Sequence, residues 1–207
     1  MSSQNASVTI KEPRRKRGRE RVAALLDAAA QVFAEKGYDA ATMAEIAARA
    51  GAAIGSLYQF FPNKELIAGA LRSTYGDELV AKLEALCEQA AAWKSEELAD
   101  RLVDAMLDFH AEHPAFTALV EAHAGLYDGA AEVREQLRGA IRAMLLANVP
   151  QLGADQAQAM AIVALHTMKA AAAMNAEAKL TRNVLLDEMR AMLRLYVMER
   201  IAAAQRA

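Results

Sequence analysis

Apolar residues recur at helical spacing along most of the chain. From Arg21 they fall at Val22, Leu25, Leu26, Ala29, Val32 and Phe33, an i, i+3, i+4, i+7 series that lays one stripe along a helix. Gly37 closes that helix as a C-terminal cap. Thr42 and Glu45, three residues apart, can each satisfy the other's orphan backbone donor in a capping box, which predicts a short helix through Ala50. Gly51 closes it, Ala52 and Ala53 bridge, and a second short helix runs from Ile54 to about Phe60, where Pro62 forbids continuation. Asn63 caps a longer helix reaching about Ala92. Further helices are predicted at about 96 to 112, 115 to 126, 129 to 147, 155 to 179 and 183 to 204, separated by Pro114, Asp128, Pro150 with Gly153, and Thr181. No segment alternates with a period of two and β-branched enrichment. The expected fold is all-α, with about nine helices.

Charge divides this series. Residues 1 to 64 carry ten Lys/Arg against six Asp/Glu, whereas residues 65 to 207 carry fourteen against twenty. The basic front suits a polyanion such as DNA, and the acidic remainder would be repelled by one. Residues 1 to 19 read as a flexible basic arm. Fully extended at roughly 3.3 Å per residue, Lys11 to Arg19 spans about 30 Å, enough to reach a neighbouring minor groove. Arg14, Arg15, Lys16 and Arg17 are the candidate contacts, the alternative being a solvated tail. A single cysteine, Cys87, excludes an internal disulfide framework and reads as a small buried residue in a reducing compartment. No apolar signal core follows the basic residues. The most apolar window, about Ala157 to Ala176, is mostly alanine and contains His166 and Lys169, which argues against a membrane span. A cytoplasmic location is expected.

The stretch Gly37-Tyr38-Asp39-Ala40-Ala41-Thr42-Met43-Ala44-Glu45-Ile46-Ala47, then Ala50-Gly51, then Gly55-Ser56-Leu57-Tyr58-Gln59-Phe60-Phe61-Pro62-Asn63-Lys64-Glu65-Leu66 resembles the TetR family of transcription regulators. The resemblance covers about residues 20 to 66. It implies a three-helix helix-turn-helix DNA-binding domain there, followed over 67 to 207 by a helical effector-binding and dimerisation body. By that similarity Ala53, Ile54, Gly55, Ser56, Tyr58 and Gln59 face DNA. Gln59 suits a bidentate contact to adenine, Ile54 a thymine methyl, and Gly55 a close backbone approach. Thr42, Tyr58 and Lys64 are expected at phosphates, the alternatives being that Thr42 only caps and Tyr58 only packs. The family commonly has polar residues where Ala53 and Ile54 stand, so readout in this chain is expected to be more apolar. Independently of the resemblance, Ile46, Ala47, Ala50 and Leu57, with Val32 and Phe33, form a small core that fixes the angle between the short helices.

The resemblance further implies a homodimer on double-stranded, palindromic operator DNA, repressing until an unidentified small-molecule effector binds. Ala157, Ala161, Ala164, Met168, Ala171 and Asn175 form a small-residue stripe, and Leu185, Met189, Met192 and Tyr196 a larger one. Together they are the expected dimer face, unless both stripes are internal to a monomer. Met106, Phe109, His110, Phe116, Leu119, Tyr127, Met144, His166 and Met174 supply the adaptable apolar and occasional polar surface expected of a ligand cavity. His110 and His113 have no third ligand at recognisable spacing, so no metal is expected. There is no nucleophile elbow, phosphate-cradling glycine loop or His-Glu-x-x-His, and neither enzymatic activity nor a cofactor is expected. A non-specific architectural DNA-binding protein and a helical ligand-binding protein without DNA function are the competing readings.

Overall fold

The computed structural model describes residues 16–122, 130–173 and 179–206, and among these the chain forms nine helices and no strand. Helix α1 spans Lys16–Ala40 and is broken at Gly37 (φ 76°, ψ 167°), a backbone conformation that glycine adopts without a Cβ clash. The break turns the chain so that Tyr38 packs back on Phe33, with ring centroids 5.6 Å apart. Helix α2 is Met43–Arg49 and α3 is Ile54–Phe60. Gly51, at φ 60°, makes the turn between them. Buried Val32, Phe33, Ile46, Ala47 and Leu57 form the expected small core, which Phe61 extends; Ala50 is half-buried at its edge.

Helix α4, Lys64–Ala90, carries the chain from this module into the body. There α5 (Ser95–Glu112), α6 (Pro114–Ala122), α7 (Ala130–Asn148), α8 (Ala154–Ala173) and α9 (Lys179–Arg206) complete the series. The main pairings are α4 with α7, α1 with α6, α7 with α8, and α5 with α9. One continuous core runs from Leu25 to Ile201, so module and body share buried residues along α1 and α4. Gly76 lets α7 approach α4: a Cβ at that position would lie 2.4 Å from Val133 Cγ1. Asn148 secures the end of α4, donating from Nδ2 to the carbonyls of Ala90 (2.8 Å) and Trp93 (2.9 Å) and accepting from Ser95 Oγ (3.1 Å). On α9, Arg190 and Arg194 pair with Asp104 and Asp100 of α5 at 2.5 Å each.

Three expectations change. Lys16, Arg17, Gly18 and Arg19 belong to α1 rather than to an extended arm. Lys, Arg and Glu are strong helix formers, and their propensity on both sides of Gly18 carries α1 through that single glycine. Arg14 and Arg15 lie outside the described residues. The small-residue stripe of α8 does not face outward either: Ala157, Ala161, Ala164 and Met168 are buried within the protomer, as is Met189 of α9. The side chain of Ala171, and Asn175, lie outside the described residues. Of the α9 stripe, Leu185 and Tyr196 are half-buried and Met192 is exposed. Among the described residues, the exposed large apolar side chains of these helices are instead Val163, Val184, Met192, Leu195 and Met198. Finally, His166, expected in a cavity, is exposed on α8. Periodicity separates the faces of a helix, but α8 carries apolar residues on both, and only the neighbours α5 and α7 decide which face is inside.

Candidate nucleic-acid interface

Thr42 ends the turn after Gly37 with extended backbone (φ −117°, ψ 152°), which is what an N-cap requires. Its Oγ1 accepts from the Glu45 amide (3.3 Å), and Glu45 Oε2 accepts from the Thr42 amide (3.0 Å) and hydroxyl (2.9 Å), completing the capping box. Lys36 of α1 hydrogen-bonds the other Glu45 oxygen. The Lys36 ammonium first, then Thr42, hold the Glu45 carboxyl down to about 2. On the next turn Arg49 clasps Glu35 with two hydrogen bonds, 2.7 and 2.6 Å, and so holds that carboxyl below its usual range. These pairs are exposed, and individually such pairs contribute little. Their geometry, however, fixes α2 against α1 at both ends.

Thus held, α2 positions α3, whose Leu57 points inward while its other side faces solvent. Ile54 is 43% exposed and Tyr58 49%. Ala53, Gly55 and Gln59 are also exposed, and Ser56 is half-buried. Ala53 takes the N-cap position with no side-chain hydrogen bond, so the α3 N-terminus has no side-chain acceptor of its own there. A Cβ on Gly55 would meet nothing within 4 Å, so packing inside the protein does not require glycine at this position. Ile54 and Tyr58, large apolar surfaces held away from the core, are the features packing leaves unexplained. Thr42 is exposed as well. Of the residues expected to face DNA, Thr42, Ala53, Ile54, Gly55, Tyr58 and Gln59 are thus exposed to solvent, and Ser56 is half-buried.

Lys64, expected at a phosphate, is engaged by backbone carbonyls in the folded chain. Its ammonium donates to the carbonyls of Tyr38 (2.6 Å), Asp39 (3.0 Å) and Ala41 (2.8 Å), and stands 4.5 Å from the centroid of the Tyr38 ring. Burial and the nearby Glu65 carboxylate push the Tyr38 hydroxyl up to about 12. Sequence inspection missed this brace and the Arg49–Glu35 clasp because both join residues distant along the chain. Opposite charges at 35 and 49 were the only available signal, and nothing in the sequence selects that pair.

In the body, Met106, Phe109, His110, Leu119 and Met144 are buried and Phe116 is half-buried. Phe109, His110 and Phe116 meet at the α5–α6 corner, where Phe109 and Phe116 stand edge-on at 5.2 Å and His110 lies 5.2 Å from Phe116. Tyr75 of α4 joins the group, 6.4 Å from Phe109. His113 Nε2 lies 3.2 Å from Glu78. Arg72 Nε donates to the Leu119 carbonyl at 3.2 Å, connecting α4 directly to α6. Tyr127 and Met174 lie outside the described residues. A groove of about 630 Å³ opens elsewhere, between α4 and α7, lined by Val80, Glu84, Cys87, Gln136 and Ala140 among others, and includes none of the expected cavity residues. Burial pushes the Cys87 thiol up, away from a reactive thiolate. Among the described residues no three His, Cys, Asp or Glu side chains converge to hold a metal, and no helix is long and apolar enough to cross a membrane.

Residues 25–71 match the family model of bacterial regulatory proteins of the tetR family, and residues 96–196 match that of the tetracyclin repressor-like C-terminal domain. The chain is similar to a TetR-family transcriptional regulator from Pectobacterium atrosepticum (26% identity, 89% of this chain and 95% of that one, TM-score 0.70). It is also similar to one from Streptomyces coelicolor (25% identity, 87% and 97%, TM-score 0.65). The regulator FadR from Bacillus subtilis, solved with stearoyl-CoA, shares the fold at 19% identity (83% and 96%, TM-score 0.64). No curated protein sequence matches the chain significantly.

Proposed function

The chain belongs to the TetR family of bacterial transcription regulators and is a DNA-binding protein of the helix-turn-helix type, and from that premise we propose that it represses transcription as a homodimer on a palindromic operator until a small-molecule effector releases it. The exposed apolar end of α3, carried on a doubly braced α2, is the observation that supports sequence-specific reading. Under this reading residues 20 to 66 form the DNA-binding domain and residues 67 to 207 the effector and dimerisation body. The protein acts at the nucleoid in the bacterial cytoplasm. Thr42 and Tyr58 contact phosphates, Ile54 contacts a thymine methyl, and Gln59 pairs with adenine in the major groove. Arg14 and Arg15, together with Lys16 and Arg17 on the first turn of α1, add contacts to neighbouring phosphates or the minor groove.

Selection of bound sequences from a random duplex pool tests this. A palindrome with half-sites one helical turn or a multiple apart is expected. Equal recovery of all sequences would instead indicate an architectural protein, and no binding at low salt a body that has lost its DNA function. Gln59→Ala should then relax preference at one base position of each half-site, costing about 1–3 kcal/mol there and nothing elsewhere. A uniform loss over all positions would refute base reading by Gln59.

The dimer face proposed is the exposed apolar strip of α8 and α9, with Leu195 (71% exposed) and Met192 (55%) at its centre. Such a strip on two helices suits a four-helix contact around a two-fold axis. Leu195→Glu should raise the dimer dissociation constant at least tenfold, measured by sedimentation at micromolar concentration. An unchanged dimer would move the interface elsewhere. The effector site is proposed beside Phe109, His110 and Phe116, where a ligand that displaces α6 acts on α4 through the Arg72 hydrogen bond to Leu119.

A further inference from the structure

Lys64 is the first residue of α4, where the partial positive charge of the helix N-terminus disfavours an ammonium group. Its side chain crosses instead to the turn that follows the Gly37 break, whose carbonyls present partial negative charge. A lysine ammonium has three protons, and three carbonyls, those of Tyr38, Asp39 and Ala41, lie within 2.6–3.0 Å of Nζ. The Tyr38 ring lies on the ammonium as well, at 4.5 Å. All three donors are thereby used inside the protein, and Lys64 as a whole residue is half-buried. The bonded carbonyls belong to the turn just before Thr42, which caps α2, is itself exposed and, on the function proposed above, on which this inference rests, contacts DNA.

We infer that Lys64 is a positioning residue for DNA reading: it fastens the turn between α1 and α2 to the first turn of α4, and so sets the orientation of Thr42 and α3, without touching a phosphate itself. The arrangement also makes Lys64 a direct tie between the reading head and the helix that enters the body. A displacement at the start of α4 is transmitted to the turn before Thr42 through three hydrogen bonds rather than through the chain alone.

A phosphate contact and a brace differ in measurable ways. Losing a phosphate contact weakens all duplexes alike and makes the slope of log K against log salt shallower by about 0.9. Losing a brace misorients the reading head, so specific binding falls and the slope stays. Lys64→Met keeps the stem over Tyr38 and removes the ammonium. Its affinity for the duplex recovered by selection should fall at least tenfold, with binding to a random duplex nearly unchanged. Backbone amide exchange over 42–46 should accelerate at least tenfold. Lys64→Arg is the sharper variant: it keeps the charge, which would restore a phosphate contact, but a planar guanidinium fork does not direct three protons at three converging carbonyls. It should therefore show the same loss. Rescue by Arg together with a shallower slope in Lys64→Met overturns the inference, as does unchanged operator affinity in both variants. A measurement on the unaltered protein without DNA guards against variants that do not fold and against failure of the operator selection. By ¹⁵N-resolved NMR the Lys64 ammonium protons should exchange at least tenfold more slowly than those of exposed Lys94, and equal rates would refute the brace.

Discussion

Leu57→Ala is expected to abolish operator binding although Leu57 has no exposed surface to offer DNA. It is fully buried under α3, against the core that contains Val32, Phe33, Ile46 and Ala47. Truncation removes most of a large aliphatic side chain and leaves a cavity, a loss of about 2–5 kcal/mol in well-packed sites. Helix α3 has seven residues, too few to persist without tertiary contacts. The loss should fall first on local opening of α2 and α3, since the longer helices of the body retain their own buried faces. Operator affinity should drop by at least a hundredfold and amide exchange over 54–60 should accelerate by a similar factor. Protection in the middle of α8 should change little. The neighbouring Tyr58→Ala provides the contrast: Tyr58 is half in solvent, so its removal should reduce affinity without altering exchange. Full operator affinity in Leu57→Ala would show that something other than this core holds α3 in place.

The contrast between Leu57 and Lys64 also marks where sequence inspection succeeds. Caps are local: the hydroxyl of Thr42 reaches Glu45, and Asn63 Oδ1 accepts from Leu66 N at 2.9 Å, each three residues away. The positive φ at Gly37 and Gly51 is equally local, since only glycine adopts it freely. These features fix α2, α3 and the start of α4 before any tertiary contact is considered, and the inward Leu57 follows from periodicity. Lys64 is different because its partners lie 23 to 26 residues away. Charge type and helix position suggested an anion, whereas the folded chain supplied carbonyls instead. The start of α1 is a closer contest, decided by the Lys, Arg and Glu propensity that runs through Gly18. On α8 the difficulty is one of partners. Ala157, Ala161 and Ala164 pack against helices of the same chain, and Val163 remains exposed, a choice fixed by topology that periodicity does not encode.

Acid should weaken the folded state through one buried imidazole. His110 is 6% exposed at the α5–α6 corner. Burial pulls its pKa down from 6.5 to about 4. The unfolded chain therefore takes up a proton on this residue near pH 6.5, while the folded chain resists until about pH 4. Between those values the unfolded state binds more protons, so stability rises with pH and is lost on acidification. Above pH 6.5 both states are neutral and the contribution is complete; below about 4 both are charged and it is gone. At about 1.4 kcal/mol per pH unit, the interval corresponds to roughly 3 kcal/mol. Glu45, whose carboxyl is held down to about 2, acts in a lower window, as pH falls from its usual range towards 2. The two are thus separable by pH. His110→Gln keeps a donor and an acceptor at the site but does not titrate. Urea unfolding at intervals from pH 7.5 to 4 should show the unaltered protein losing roughly 3 kcal/mol more than His110→Gln over that range, the extra loss being largest between pH 6 and 4.5. Parallel stability curves for the two proteins would mean that His110 takes up its proton at an ordinary pH within the fold, and that the aromatic corner is open to water.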